Sequence, residues 1–309
     1  MKVLVTGGAG FIGSHVVDKT LARGHSVRVF DLIPSAYHDA DEVESFSGDL
    51  TDVDALATAM HECDAVVHLA AVADVAHVAA DPAYAEKVNA GGTFNVLEAA
   101  RRAGVGRVVY ASTIWVYNGL QGIVDEDTPL GLPAHFYTAT KLAGEMYCTS
   151  YAELYGIDFT ILRFGIPYGP RARPAAVVPA FVRNALAGKP LTIAGAGEQS
   201  RRFVYVEDLA EGTARAIEPG AANRVYNLVG EEDTTVRQIA EVVRDLIGDV
   251  EIVHTERRAG DFTGAEVSGA RAEAELGWRA TTPFAEGVRL YLEWLREEQA
   301  QRALDAEPA

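Results

Sequence analysis

Tyr137 and Lys141 stand four residues apart at the start of a helical segment (residues 138–155), a spacing that puts both side chains on one helix face. A free tyrosine ionises near pH ~10, and a neighbouring ammonium favours its phenolate, so the pair predicts a proton-transfer group with a lowered pKa. Such a pair also arises by chance between unrelated helix residues. Thr113 adds a hydroxyl just past a strand-like run, with Ser112 as its rival, at the edge where parallel sheets hold ligands. Near the N-terminus, Gly7-Gly8-Ala9-Gly10-Phe11-Ile12-Gly13 lies between the first strand-like run and the first helical one. There Gly7 suits a tight turn, Gly10 lets backbone approach a pyrophosphate, and Gly13 lets helix pack closely on strand. The helix start then offers free N–H groups and the positive end of its dipole to phosphates. The loop therefore predicts a bound dinucleotide.

Asp31 follows Gly13 by eighteen residues and ends the second strand-like run. A carboxylate there accepts hydrogen bonds from the adenosine ribose and repels a 2′-phosphate, so NAD is favoured over NADP. The plainer reading of Asp31 is a strand-end turn residue. Asp49-Leu50, past another strand-like stretch, suit the adenine edge.

These residues need a scaffold, and the hydrophobic pattern supplies one. Runs at residues 3–6, 26–30, 65–69, 107–111 and 159–163 are continuously apolar, as strands buried on both faces require. Helical patterns separate them. Residues 51–54 resemble a capping box, and Gly24, Gly104 and Gly156 sit at left-handed C-cap positions. Alternating β and α over residues 1–165 predicts a doubly wound parallel sheet. After Arg163 the rhythm changes through a Gly- and Pro-rich loop. Residues 166–309 are expected to form a smaller, interleaved lobe, with a helix at 177–187 and a strand at 191–193. Stretches 203–206 and 225–229 are expected to return to the first sheet.

A formal net charge of −17 argues against nucleic acid or an anionic membrane surface as partner. No apolar stretch approaches the ~20 residues of a membrane span, and the opening run is too short for a secretion signal. Cys63 and Cys148 lack metal-ligand spacing, so buried thiols, no metal and a cytoplasmic setting are expected. Disorder is expected only within residues 299–309.

Taken together the motifs resemble those of the extended short-chain dehydrogenases/reductases, within the NAD-dependent nucleotide-sugar epimerase/dehydratase family typified by UDP-glucose 4-epimerase. Besides the loop at residues 6–13 and Asp31, the matching residues include Gly48-Asp49-Leu50, His68-Leu69-Ala70-Ala71, Asn89, Ser112-Thr113, Val116-Tyr117, and Tyr137 with Lys141. Leu162-Arg163, Tyr168-Gly169-Pro170, Arg201, Asp208, Arg258-Ala259-Gly260-Asp261 and Leu276-Gly277-Trp278 extend the match through the second half. The resemblance implies that Tyr137 is the acid/base, that Lys141 holds the nicotinamide ribose, and that Thr113 binds the reacting oxygen. It implies cofactor contacts from Phe11, Ile12, Leu69, Ala70, Ala71 and Asn89. It also implies substrate contacts from Val177 and Thr192, with Arg201 and Arg258 clamping the diphosphate of a UDP- or dTDP-linked sugar. Helices near residues 84–103 and 138–155 imply a homodimer.

The departures are as informative. The 4,6-dehydratases of this family carry Asp-Glu directly after the catalytic Thr, where this chain has Ile114 and Trp115, neither able to move a proton. Ile166 and Ala176 stand where many relatives have phosphate-side asparagines; Asn118 replaces a glycine, and His135-Phe136 replace Ser-Pro. The expected reaction is 4-epimerisation of an NDP-sugar through a 4-keto intermediate. A 4-ketoreductase or dehydrogenase of the same family remains the alternative, with a non-catalytic NAD-binding scaffold behind it.

Overall fold

A computed structural model of the chain describes residues 1–256 and 265–305. Its first half alternates as the apolar runs require: β1 (Lys2–Thr6), α1 (Phe11–Ala22), β2 (Ser26–Asp31), β3 (Glu44–Ser47), α2 (Val53–Ala59) and β4 (Ala65–His68). Next come α3 (Val75–Ala80), α4 (Pro82–Glu86), a single π turn over Lys87–Gly91, and α5 (Gly92–Ala103). The helix expected near 84–103 is therefore interrupted. Then follow β5 (Arg107–Thr113), a 3₁₀ turn (Ile114–Tyr117), β6 (Ile123–Val124), α6 (Phe136–Tyr155), β7 (Asp158–Phe164) and β8 (Ile166–Tyr168).

The second half runs α7 (Val177–Leu186), β9 (Leu191–Ala194), β10 (Ser200–Tyr205), α8 (Val206–Arg215), β11 (Arg224–Leu228), β12 (Asp233–Thr235) and α9 (Val236–Ile247). It ends with β13 (Ile252–Thr255), β14 (Glu266–Val267), α10 (Ala270–Leu276) and α11 (Phe284–Asp305). That last helix enters the stretch 299–309 for which disorder was expected.

The main sheet has the order β11-β7-β5-β4-β1-β2-β3, and every neighbouring pair is parallel. This is the Rossmann-type doubly wound sheet that the sequence predicts. Its strands are apolar at successive positions because both faces are covered. Val3 and Val5 pack with Val16 and Val17 on one face, while Leu4 packs with Leu56 and Leu97 on the other. Strand order reverses direction at β1 and β4, which opens a crevice at their carboxyl ends.

Helix ends follow local chemistry. Asp52, not Thr51, caps α2, accepting from the Asp54 and Ala55 amides. Gly104 and Gly156 end α5 and α6 in the left-handed conformation that glycine adopts without a Cβ penalty.

Only part of residues 200–230 joins the main sheet. β11 pairs with β7, and α8 packs on α1, with Lys19 and Glu207 ion-paired at 2.8 Å. The stretch expected to return at 203–206 instead forms β10 of a separate sheet, β12-β10-β8. Its side chains explain why: Phe203 and Tyr205 belong to a second core with Tyr168, Phe181, Ile239 and Phe284. That core needs its own sheet, so the strand stays with the lobe. Among the described residues no helix is long and apolar enough to cross a membrane.

Candidate active site

The carboxyl ends of β1, β2, β4 and β5 and the start of α6 enclose one cavity of about 740 Å³. The glycine loop forms one end of it and Thr113, Tyr137 and Lys141 another, so residues more than a hundred positions apart in sequence share one space.

At the loop, the backbone is tight enough to exclude any side chain. A Cβ at Gly13 would lie 2.0 Å from the Gly7 carbonyl oxygen, and one at Gly7, whose φ is +74°, would lie 2.8 Å from the Ala70 amide nitrogen. Phe11 and Ile12 begin α1 and line the cavity with these glycines. Asp31 ends β2 with one carboxylate oxygen accepting from the Ala9 amide at 3.0 Å and the other from the Leu32 amide at 2.7 Å. Each oxygen retains lone-pair capacity for a diol. Asp49 takes the Thr51 amide at 2.8 Å, and with Leu50 it lines the cavity beside Asp31. This cradle, small at the turn and carboxylate-lined beyond it, fits an NAD adenosine and pyrophosphate.

A buried hydrogen-bonded chain holds the opposite wall. The Thr93 hydroxyl donates to the Asn89 carbonyl at 2.6 Å, so it can only accept from His68 Nε2 at 3.0 Å. Nδ1 of His68 then accepts from the Thr6 hydroxyl at 2.7 Å, which itself accepts from the Ala70 amide at 3.3 Å. Burial and the Lys141 charge hold His68 down to about 3, so the ring stays neutral. Ala70, which lines the cavity between Leu69 and Ala71, is pinned by this chain. Asn89 is not itself at the cavity. Its amide brackets Val72, accepting from that N–H at 2.7 Å and donating to that carbonyl at 3.1 Å. Fully buried, it shapes the cofactor wall through backbone rather than touching the cavity.

The chemical end differs from expectation in one respect. Burial pushes Tyr137 up to about 12, with the Arg173 charge pulling the other way. The lowering expected from Lys141 is not seen, because that ammonium donates to the Ala111 carbonyl at 2.9 Å and lies over the Tyr110 ring. Burial draws Lys141 itself down to about 8. Thr113 is buried at the end of β5, its oxygen accepting from the Trp115 amide at 3.2 Å. Its rival Ser112 is committed elsewhere. It donates to Glu145, one turn beyond Lys141, and Glu145 is ion-paired to buried Arg163 at 2.8 Å. Arg163 also donates to the Tyr117 hydroxyl at 2.7 Å, so the 3₁₀ turn after Thr113, β7 and α6 are locked together.

The sugar-side expectations fare unevenly. Val177 packs into the lobe core and Thr192 is exposed on β9; neither lines the cavity, whereas Ala176 and Ile166 do. Arg201 lies outside the main cavity, its guanidinium over the Trp115 ring at 5.5 Å and donating to the Ser200 carbonyl. Trp115 also meets the edge of His135 at 5.4 Å. Arg258 lies outside the described residues. Arg173, not singled out in the sequence, lines the cavity and pairs with Asp74 at 3.3 Å, joining two of its walls. Its only sequence signal is its place in the Gly- and Pro-rich loop after β8. Among the described residues, no group of three or more His, Cys, Asp or Glu could hold a metal ion.

A glycine-loop crevice continuous with a Thr–Tyr–Lys set defines a dinucleotide-dependent enzyme of the short-chain dehydrogenase/reductase type. The chain belongs to the NAD dependent epimerase/dehydratase family, whose profile matches residues 3–229. It is 34% identical to UDP-glucose 4-epimerase of Mycolicibacterium smegmatis, over 96% of this chain and 99% of that one. The crystal structure of UDP-glucose 4-epimerase from Thermotoga maritima with UDP-glucose superposes with a TM-score of 0.90 at 33% identity, covering 97% of this chain and 100% of that one. A dTDP-glucose 4,6-dehydratase from Streptomyces venezuelae with NAD bound gives the same TM-score and identity, over 97% and 98%. The chain is thus an NAD-dependent enzyme of a family that includes both epimerases and dehydratases.

Proposed function

We propose that the chain epimerises a UDP- or dTDP-linked sugar at C4. The observation that carries this reading is the wall next to Thr113. Where a dehydratase needs a proton donor and a base, Ile114 is buried in apolar company and Trp115 turns an indole toward the cavity. Tyr137, which lines the same cavity as Thr113, is then our candidate for moving the proton.

The Tyr137 oxygen takes the C4 hydroxyl proton, and the Thr113 hydroxyl donates to the same substrate oxygen as it becomes a carbonyl. NAD, when bound, supplies the hydride acceptor and donor for C4. Burial keeps the Tyr137 phenol protonated and the Arg173 charge pulls toward the ionised form, while Lys141 would hold the nicotinamide ribose. With Ile114 and Trp115 inert, the keto sugar has no proton relay through which to eliminate its C6 hydroxyl. It turns over while Arg201 and Arg258 hold the diphosphate, so that C4 would take its hydride back on the opposite face while Tyr137 returns the proton to the C4 oxygen.

The test is a product assay on purified holoenzyme. UDP-glucose or dTDP-glucose should give its C4 epimer with no net absorbance change at 340 nm. Stoichiometric NADH would instead indicate the ketoreductase or dehydrogenase alternative, and a 4-keto-6-deoxy sugar would overturn the reading. For assembly, α5 and α6 expose Phe94, Met146, Leu154 and Tyr155, an apolar face suited to a second copy of the chain. Light scattering at twice the monomer mass is the expected result.

A further inference from the structure

Pro170, Arg171, Ala172 and Arg173 lie between β8 and α7, and three of these four residues are fastened to other parts of the fold. The Pro170 carbonyl accepts from Nε2 of buried His15, on α1, at 3.1 Å. Arg171 donates to Asp18, one turn further along α1, at 2.8 Å, and its guanidinium lies 4.4 Å over the Tyr37 ring. Arg173 donates to Asp74, the cap of α3, at 3.3 Å. The Arg171 side chain is 19% exposed and that of Arg173 56%, so the Arg171 pair is the less screened of the two.

These anchors stand on opposite sides of the crevice. Tyr37 follows β2 and α1 follows β1, on one flank of the main sheet, whereas Asp74 follows β4, on the other. The crevice opens between β1 and β4, so residues 170–173 cross it from side to side, and Arg173 lines the cavity. Asp18 gathers the β2 side. Its second oxygen accepts from His38 Nε2 at 2.9 Å, and Nδ1 of that ring meets the Ser35 hydroxyl at 2.9 Å. One carboxylate thus holds both the crossing segment and the loop after Asp31, whose Leu32 lines the cavity. Arg171 has a φ of +64°, a left-handed conformation that costs energy for a residue with a Cβ. Glycine takes that turn freely, so what an arginine adds there is the two contacts of its side chain.

We infer that residues 170–173 are a strap that keeps the dinucleotide in its crevice, with Arg171–Asp18 as the main fastening and Arg173–Asp74 as the second. The inference rests on the epimerase reading, in which one NAD takes up a hydride and returns it within the same cycle. A strap fastened on both flanks makes cofactor release slower than turnover. An enzyme that exchanges its cofactor in every cycle would be hindered by it.

The experiment adds an excess of isotopically labelled NAD to NAD-loaded protein and follows label uptake beside melting temperature and product formation. Arg171→Gly keeps the backbone turn and removes both side-chain contacts. Its exchange should quicken by about 10-fold, the scale of one hydrogen bond to a charged group, with melting temperature and turnover per bound NAD unchanged. Arg171→Lys keeps the charge without the planar fork and should fall between that variant and wild type. Asp74→Asn should have a smaller effect than Arg171→Gly, and the two together should exchange fastest. A wild-type exchange rate in that double variant would overturn the strap, whatever the product assay gives. Faster exchange in the variants together with stoichiometric NADH from the wild type would leave the strap standing and overturn the epimerase reading.

Discussion

The cofactor end and the proposed sugar end of the cavity are built in different ways. The cofactor end is made of backbone from short contiguous segments, at residues 6–13 and 69–72, with Asp31 at a strand end. Its tolerances are set by main-chain atoms that cannot move aside. The proposed sugar end is made of side chains from distant elements: Trp115 after β5, Ile166 on β8, and Arg173 and Ala176 before α7, with Arg201 of β10 stacked on Trp115 outside the cavity. The contrast teaches that a backbone site commits a protein to one ligand class, whereas a side-chain site can change its reaction by a few substitutions. Relatives alike in fold but named for different reactions fit that division.

Variants aimed at each end separately test the contrast. The largest effect is expected from Gly13→Val, whose Cβ would overlap the Gly7 carbonyl. NAD retention should be lost altogether, and stability should fall by about 1–3 kcal/mol. Nucleotide content of the purified protein and its melting curve read both, and full NAD retention would break the account of the loop. Tyr137→Phe strikes only the chemistry. Turnover should drop roughly 10²–10⁴-fold with NAD still bound, and a variant of wild-type activity would remove Tyr137 from the proton path.

Arg201→Ala should act on the sugar end alone. We expect KM for the nucleotide sugar to rise about 10–100-fold while NAD content stays constant, and an equal loss of NAD would show that the two ends are not separable. The smallest effect at neutral pH concerns two imidazoles of the cofactor half. Burial holds His15 near 4 and His68 near 3, both below the 6.5 of a free imidazole. The unfolded chain therefore takes up protons first, so stability is full above pH 6.5 and declines as pH falls toward the folded values. The loss by pH 4 is on the order of a few kcal/mol, and His15→Gln should flatten the melting-temperature profile over that window. A profile identical to wild type would assign the acid sensitivity to other groups.

Much of the fold was legible because its signals are local. The apolar runs that became β1, β2, β4, β5 and β7 each carry their own pattern, as does the loop between β1 and α1. Tyr137 and Lys141 were legible for the same reason, since one helical turn joins them. Where the reading failed, long-range packing decided. Residues 203–206 look like any buried strand, and only the aromatic partners Tyr168 and Phe284 hold them in the lobe. Asn89 looks like a ligand contact, yet its partner is the Val72 backbone seventeen residues away. Val177 and Thr192 carry no mark of which way their elements face.

By itself the sequence determined the doubly wound sheet, the dinucleotide loop and the placing of Tyr137 and Lys141 on one helix face. Each depends on periodicity or spacing within a few residues, which the chain carries whatever its tertiary fold. Only the tertiary structure decided that burial raises Tyr137, that Ser112 donates to Glu145, and that Trp115 and Arg173 line the cavity while Arg201 stacks on Trp115 outside it. Desolvation, ion pairing and ring contacts depend on which distant atoms surround a group, and folding alone brings those atoms together.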